Sequence, residues 1–182
     1  MTLSFLRRTV RNKALLTASL LVSVGFASWI PVVALPQAAI AQAAATDNDE
    51  RLNDLFEQGR KLVEAGNLAE AVSVYQQAAT LSPDNARIFS AIGFLQAKQN
   101  NFRAAAEAYQ KAIALESNNA DFYYALGFSK ANLGDNVGAA DAYRRATQLN
   151  RNDVEAYLGL GVVLTRQGDL DGAIAAYRQV LT

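Results

Sequence analysis

Few residues of this chain are of the types that catalyse reactions or bind metals. The 182 residues include no cysteine and no histidine, which excludes disulfides, thiolate nucleophiles, histidine-dependent triads, zinc sites built from thiolate or imidazole, and haem ligation. The run 169–172 (DLDG) matches only the start of a calcium-binding loop, since the twelfth position from Asp169 is Val180 instead of a bidentate glutamate. The run 159–161 (GLG) lacks the third glycine of a dinucleotide-binding loop. The sequence therefore predicts a protein that is not an enzyme, with no catalytic residues, no metal site and no cofactor.

Charged residues are unevenly distributed along the chain. Lysine plus arginine and aspartate plus glutamate each count 17, so there is no net charge. Four basic residues lie within the first 13 positions, and no acidic residue precedes Asp47. From Asp47 onward the chain is mildly acidic, with 13 basic and 17 acidic residues. This balance argues against a nucleic-acid-binding protein, because such proteins use a basic surface to displace counterions from phosphates.

The amino-terminal segment has the order of an export signal. A basic opening ends at Lys13 and is followed by an uncharged stretch that continues to Thr46. Both 39–41 (AIA) and 41–43 (AQA) match the small-x-small pattern of a cleavage site, and we favour the second. We therefore predict a signal peptide over residues 1–43 and a short linker and helix lead-in over 44–51. The body is then exported to the bacterial periplasm, to an equivalent lumen or to the medium.

A second interpretation keeps this segment as a membrane anchor. Residues 14–35 form an uncharged, largely apolar stretch, and as a helix of about 33 Å they would cross a bilayer core of about 30 Å. Pro31 and Pro36 disfavour a straight helical span. In either interpretation the basic end stays in the cytoplasm, the body lies outside it, and contact with the membrane is limited to this segment.

Beyond residue 50 the sequence repeats at a fixed interval. Three columns of identical residues keep the same spacing: Gly59, Gly93, Gly127 and Gly161; Ala71, Ala105, Ala139 and Ala173; and Tyr75, Tyr109, Tyr143 and Tyr177. A period of about 34 residues is too long for one helix and suits a pair of helices, whose glycines and alanines permit close approach. A single pair cannot bury its own apolar face, so the pairs must stack. We predict four helix pairs, in units 52–85, 86–119, 120–153 and 154–182, the last incomplete.

The arrangement of these residues resembles the tetratricopeptide repeat. An aromatic residue, leucine and glycine recur in the first helix of a unit, and alanine, tyrosine and alanine in the second. The resemblance covers residues 52–182 and implies an all-α fold, a right-handed solenoid of antiparallel helix pairs. It also implies that the first helix of each unit lines a concave face, which holds a peptide or a partner protein.

Ten residues become candidate partner-binding residues when the concave positions of this family are carried over. They are Phe56, Arg60, Arg87, Phe94, Lys98, Tyr124, Phe128, Leu158, Val162 and Arg166. Their aromatic and leucine members would form a continuous apolar stripe, and a contiguous exposed apolar patch is typical of a binding surface. The alternative is that some of these rings pack between neighbouring first helices.

One well-known kind of tetratricopeptide repeat protein holds the terminal carboxylate of its partner with lysine, asparagine and arginine side chains. The matching positions here are Phe56, Arg60, Ala91, Asp121 and Ala125. Only Arg60 among them is basic, so the resemblance implies an extended, partly apolar ligand instead.

The leading hypothesis is an exported, non-catalytic interaction module that binds a peptide or partner protein in the concave groove. Two alternatives stay open at this stage: a self-associating structural element, and a non-catalytic arm of an envelope assembly complex. Self-association would use the end of unit four, where a terminal repeat needs a cap and where Ala176, Val180 and Leu181 form the uncovered surface.

Overall fold

The computed structural model describes residues 37–181, with side chains from residue 46 onward. Within that range the all-α prediction is confirmed, with eight helices and no strand. The helices are α1 (Gln37–Glu64), α2 (Leu68–Leu81), α3 (Ala86–Lys98), α4 (Phe102–Leu115), α5 (Ala120–Asn132), α6 (Asn136–Leu149), α7 (Val154–Gln167) and α8 (Leu170–Gln179). The candidate anchor at 14–35 and most of the predicted signal peptide lie outside the described residues.

Helix α1 is longer than any other described helix. It has 28 residues, whereas α2 has 14, so α1 extends well beyond its partner at the amino-terminal end. The extension includes residues 44–51, which we predicted as a linker and helix lead-in, and both candidate cleavage sites. No helix in the described range combines the length and apolar character needed to cross a membrane.

The turn inside each unit has the same backbone geometry. Gly66, Asn100, Gly134 and Gly168 occupy equivalent positions in the four units and adopt φ angles of 78°, 60°, 81° and 83°. In unit three the amide of the next residue, Asp135, donates to the carbonyl of Lys130 at 3.0 Å and ends α5. Glycine adopts this left-handed conformation without a Cβ clash, and asparagine tolerates it better than most other residues.

Side chains at the unit boundaries fix where the first helices begin. The Asn119 side chain accepts a hydrogen bond from the amide of Asp121 at 3.1 Å, before α5. The Asp153 carboxylate accepts one from the amide of Ala156 at 2.9 Å, before α7. Such caps satisfy amides that have no partner within the helix and contribute about 1 kcal/mol each. Because they fix the start of the helix, they also fix which residues it exposes.

The repeated glycines and tyrosines form the contacts between helices. Gly127 of α5 lies so close to the ring of Tyr143 in α6 that a Cβ on this glycine would be 2.8 Å from Tyr143 Cδ1. Gly159 of α7 approaches the same ring from the next unit. Tyr143 is therefore enclosed, with 3% of its surface exposed, and burial raises the pKa of its hydroxyl to about 12. One side chain thus joins unit three to unit four.

The stack of helix pairs is curved. Helix α5 contacts both α3 and α7, whereas in the described part of the chain α4 contacts neither α2 nor α6. From α3 to α7, neighbouring first helices are thus closer together than neighbouring second helices. A solenoid built this way bends toward its first helices, which therefore form the concave side.

The end of unit four differs from the expectation at one residue. Ala176 is buried in the cluster that contains Leu160 and Val163 of α7. The prediction that Ala176 forms part of an uncovered surface is therefore wrong, because this side of α8 packs onto its own unit. Leu181 is exposed as predicted.

Candidate functional site

A cleft of about 590 Å³ lies between α3 and α5, the first helices of units two and three. Residues of these two helices form its walls, and one residue of α4 contributes to its floor. The lining residues are Ser90, Phe94, Ala97, Lys98, Tyr109, Asp121, Phe122, Tyr124, Ala125 and Phe128. Most of them are apolar or aromatic, and they lie on the concave side of the stack.

Phe94 and Phe128 occupy the same position in consecutive repeats. Each follows a buried glycine that packs against a tyrosine ring, Gly93 in α3 and Gly127 in α5. Because consecutive side chains on a helix point about 100° apart, the residue after the buried glycine turns toward the cleft. The two rings are 50% and 43% exposed. Two large apolar side chains of one cleft thus face solvent.

Neighbouring side chains hold both rings in place. The ring of Phe128 packs edge-on against that of Phe102, with centroids 6.0 Å apart and planes at 72°. The ammonium group of Lys98 lies 5.1 Å from the centroid of the Phe94 ring, an attraction that contributes about 0.5–1 kcal/mol at an exposed site. The apolar surface of the cleft is therefore ordered before any ligand arrives.

The floor of the cleft combines small residues with a buried tyrosine. Ala97 and Ala125 line the cleft with small side chains. Tyr109 packs against Gly93, and burial raises the pKa of its hydroxyl to about 12. At physiological pH this hydroxyl is neutral, so the floor carries no charge.

Charged groups at the cleft are few and of both signs. Lys98 and Asp121 belong to its lining, and the Glu155 carboxylate of α7 lies near the Tyr124 hydroxyl. Burial, and after it this carboxylate, raise the pKa of Tyr124. The Ser90 hydroxyl donates to the Arg87 carbonyl at 3.0 Å and not to a base. In the described range no group of acidic residues could hold a metal ion. The cleft is therefore a surface for apolar contact with a mixed polar rim.

Family models match the chain over these same helices. The model described as TPR repeat matches residues 59–100 and 97–134. The model described as tetratricopeptide repeat matches residues 124–182. The chain belongs to the tetratricopeptide repeat family.

Solved structures with the same fold include those of two proteins named MamA and YrrB. A crystal structure of MamA is 23% identical, with a TM-score of 0.69, over 77% of this chain and 82% of that one. A crystal structure of YrrB, described as a TPR protein with an unusual peptide-binding site, is 26% identical, with a TM-score of 0.66, over 76% of this chain and 72% of that one. A third structure, the first TPR of Spaghetti (RPAP3) bound to the HSP90 peptide SRMEEVD, is 22% identical, with a TM-score of 0.62, over 65% and 94% of the two chains. Among curated proteins there is no match.

Four of the ten residues predicted from the tetratricopeptide repeat pattern line the cleft: Phe94, Lys98, Tyr124 and Phe128. Tyr124 is only partly accessible, because its ring also packs against that of Tyr143 at a centroid distance of 5.9 Å. The other six lie elsewhere on the first helices. The cleft therefore joins the candidates of units two and three except Arg87, and leaves out those of units one and four.

The six remaining candidates have different surroundings. Phe56 packs on Tyr75 with a centroid distance of 6.1 Å and belongs to the margin of a core cluster. Arg60 is ion-paired with Glu57 at 2.8 Å and Glu64 at 3.8 Å. The other four, Arg87, Leu158, Val162 and Arg166, are exposed. Their role in binding stays a prediction.

Several residues that shape the cleft were not singled out from the sequence as site residues. Tyr109 belongs to the tyrosine column, which we assigned to helix packing alone. Phe122 lies in unit three where units two and four have Ile88 and Ala156. The available signal was a large aromatic residue at a position where the neighbouring repeats have smaller side chains. This residue marks unit three, whose first helix forms one wall of the cleft.

Proposed function

We propose that the protein is a non-catalytic interaction module that binds an extended, partly apolar segment of a peptide or partner protein in the cleft between α3 and α5. The observation that carries this proposal is the pair Phe94 and Phe128, half exposed at one repeat position on the concave side. Exposing two adjacent phenylalanines to water is unfavourable in the free protein, and a ligand that covers them removes this cost. The likeness to YrrB, a tetratricopeptide repeat protein with a peptide-binding site, supports the same role.

The geometry of the repeat indicates how the ligand is spaced. Neighbouring packed helices are about 10 Å apart, so the two rings lie on adjacent helices at about that separation. A polyproline II segment rises about 3.1 Å per residue and returns to the same face every third residue. The ligand that fits is therefore an extended segment with apolar side chains at positions i and i+3.

The charges at the rim predict how binding responds to salt. Lys98 and Asp121 are single charges of opposite sign on opposite walls. Screening therefore weakens attractive and repulsive contacts together, and the affinity for a segment of low charge depends only modestly on ionic strength. A clamp for a terminal carboxylate is not part of this proposal.

The proposal is tested by replacing both rings at once. We expect the double variant Phe94→Ala with Phe128→Ala to lose binding to peptides that a random peptide library yields against the purified wild-type protein. The loss should be about 2 kcal/mol or more per ring, a factor of about 30 in affinity, as for interface hot spots. The free energy of unfolding should fall by much less than the roughly 3–5 kcal/mol of a buried phenylalanine. Isothermal titration calorimetry and thermal denaturation measure the two quantities.

A matched control uses exposed apolar residues outside the cleft. Leu133 and Val137 are 47% and 66% exposed and do not line the cleft, so the double variant Leu133→Ala with Val137→Ala should bind the same peptides with unchanged affinity. An equal loss of peptide affinity in both double variants would contradict the assignment of the cleft as the binding site. So would a large fall in melting temperature for the phenylalanine variant, since it would show that the rings belong to the core.

We also propose that the repeat body is exported and that its leader is removed. Support comes from the order of residues 1–43: a basic opening, an uncharged apolar stretch and small residues at the candidate cleavage sites. The alternative is a retained anchor with the body outside the cytoplasm.

Export with cleavage has a simple spectroscopic readout. Trp29 is the only tryptophan of the chain, so protein isolated from its native host should show tyrosine but no tryptophan fluorescence. Its intact mass should correspond to a chain that begins near residue 44. A mass that retains residues 1–43 would contradict cleavage and favour the anchor.

A further inference from the structure

Helix α8 and the turn that follows it expose a narrow stripe of large apolar side chains. Leu170, Ile174, Tyr177 and Leu181 are 61%, 49%, 36% and 86% exposed. Their spacing of four, three and four residues places them on one side of the helix. The opposite side of α8 packs onto α7 through Ala173 and Ala176. Leu170, Ile174 and Leu181 therefore face away from the body of the protein, and Tyr177, whose ring lies against Gly161 of α7, borders them.

The same repeat positions are covered in the earlier units. At the position of Ile174, units one to three have Val72, Ala106 and Ala140, all buried. At the position of Tyr177, Tyr143 is 3% exposed, because α7 of the following unit packs on it. The stripe is thus the surface that in each earlier unit receives the first helix of the next one. The linker between a second helix and the next first helix is four residues long, so those two helices run antiparallel.

The amino-terminal face of another copy is a poor occupant for this surface. In unit two the residues directed at the preceding unit are Ile88, Ile92 and Leu95, all buried. The same positions in unit one are Asp54, Gln58 and Lys61, all exposed. Stacking unit one of a second copy onto α8 would remove these polar groups from water without partners, which is unfavourable.

The stripe is instead complementary to itself when two copies of α8 run antiparallel. The twofold axis then passes between Ile174 and Tyr177. Ile174 of one copy faces Tyr177 of the other, and Leu170 of one copy faces Leu181 of the other. The charged residues that flank the stripe, Asp171 and Arg178, are exposed and form no ion pair within the described chain. They are about 10 Å apart along one helix, too far to pair with each other. In the antiparallel arrangement Arg178 of one copy lies within about 3 Å, along the axis, of Asp171 of the other.

We propose that two copies of the chain associate end to end through α8, antiparallel about a twofold axis, with the second copy's α8 in the place of a following first helix. The apolar stripe supplies the contact, and two Asp171–Arg178 pairs set its register. An isologous interface of this kind closes on itself and yields a dimer and no larger assembly. It leaves the concave cleft open, so this inference does not depend on the proposed peptide binding.

The charge pairs give the sharpest test of the register. In sedimentation equilibrium at tens of micromolar, the protein with its natural amino terminus is expected to have twice the mass of one chain. Asp171→Arg alone and Arg178→Asp alone each bring like charges together twice in the dimer and should weaken association about tenfold. The double variant Asp171→Arg with Arg178→Asp restores opposite charges and should recover most of the wild-type association.

Variants of the stripe test the surface itself. Ile174→Glu buries two unpaired carboxylates in the interface and should weaken association by about 100-fold or more, while Val137→Glu, at an exposed valine of α6, should have no effect. Because the chain has no cysteine, Ile174→Cys should give a covalent dimer with a short bismaleimide, and Val137→Cys should not. A monomeric wild-type protein would overturn the proposal and leave the surface to a helix of another protein. Assemblies larger than a dimer, or no recovery in the charge-swapped double variant, would overturn the twofold register.

Discussion

Replacing Gly127 with arginine is expected to reduce the free energy of unfolding of the repeat body by about 3 kcal/mol or more. The ring of Tyr143 occupies the space that any side chain at this position would need, since a Cβ would already lie 2.8 Å from Cδ1 and 3.0 Å from Cγ. The ring cannot withdraw, because Gly159 of α7 closes it in from the other side. The better helix propensity of arginine recovers only about 1 kcal/mol.

The loss of stability in Gly127→Arg should extend beyond unit three. Helix α6 carries Tyr143 and contacts both α5 and α7, so a displaced ring disturbs the boundary with unit four as well. Repeats are coupled mainly to their neighbours, and unit two, which packs on α5 through α4, should also lose stability. Chemical denaturation followed by circular dichroism measures the loss, and hydrogen exchange shows how many units it reaches.

Gly161 provides a matched control at the same repeat position. A Cβ there would also overlap a tyrosine ring, that of Tyr177. This ring is 36% exposed and has room to swing outward in the dissociated chain, so at concentrations where the protein is monomeric Gly161→Ala should change stability by less than about 1 kcal/mol. Two results would contradict the view that the enclosure of Tyr143 determines the loss of stability. One is a Gly127→Arg variant as stable as the wild type, and the other is an equal loss of stability in Gly161→Ala.

Replacing Phe122 with alanine is the second change of large expected effect. Phe122 is 7% exposed and forms one buried cluster with Ala86 and Ala112, which belong to α3 and α4. Its removal leaves a cavity between units two and three, bordered by Ala86, Ala112 and the partly buried Phe89 and Ile113. We expect a loss of about 3–5 kcal/mol in the free energy of unfolding, the range found for a buried phenylalanine.

Phe128 gives the comparison for this prediction on the same helix. It is the same residue type six positions later in α5 but is 43% exposed, so Phe128→Ala should cost well under half as much. Thermal and urea denaturation of the two single variants measure the difference. Similar losses in both variants would mean that Phe128 is a core residue, which would also remove the main support for the cleft as a binding site.

Local patterns in the chain were sufficient to predict the architecture. Glycine, alanine and tyrosine at one constant interval predicted paired helices, and the structure has paired helices over these residues. This prediction holds because it depends on a few residues at each contact, where a small side chain permits two helices to approach closely. The length of α1 was not predictable in this way, since its alanine-rich amino-terminal part has no stop signal at residue 44.

Exposure was decided by the tertiary structure. The repeat pattern predicted Phe56, Phe94 and Phe128 alike as groove residues. In the structure Phe56 packs against Tyr75, whereas Phe94 and Phe128 line a cleft. Tyr143 and Tyr177 occupy the same repeat position, but only Tyr143 has a following helix packed on it. The sequence by itself determines which side of its helix a residue occupies, because that follows from about 3.6 residues per turn. Whether that side meets water depends on which helix lies beside it and how closely, and only the packed structure determines that.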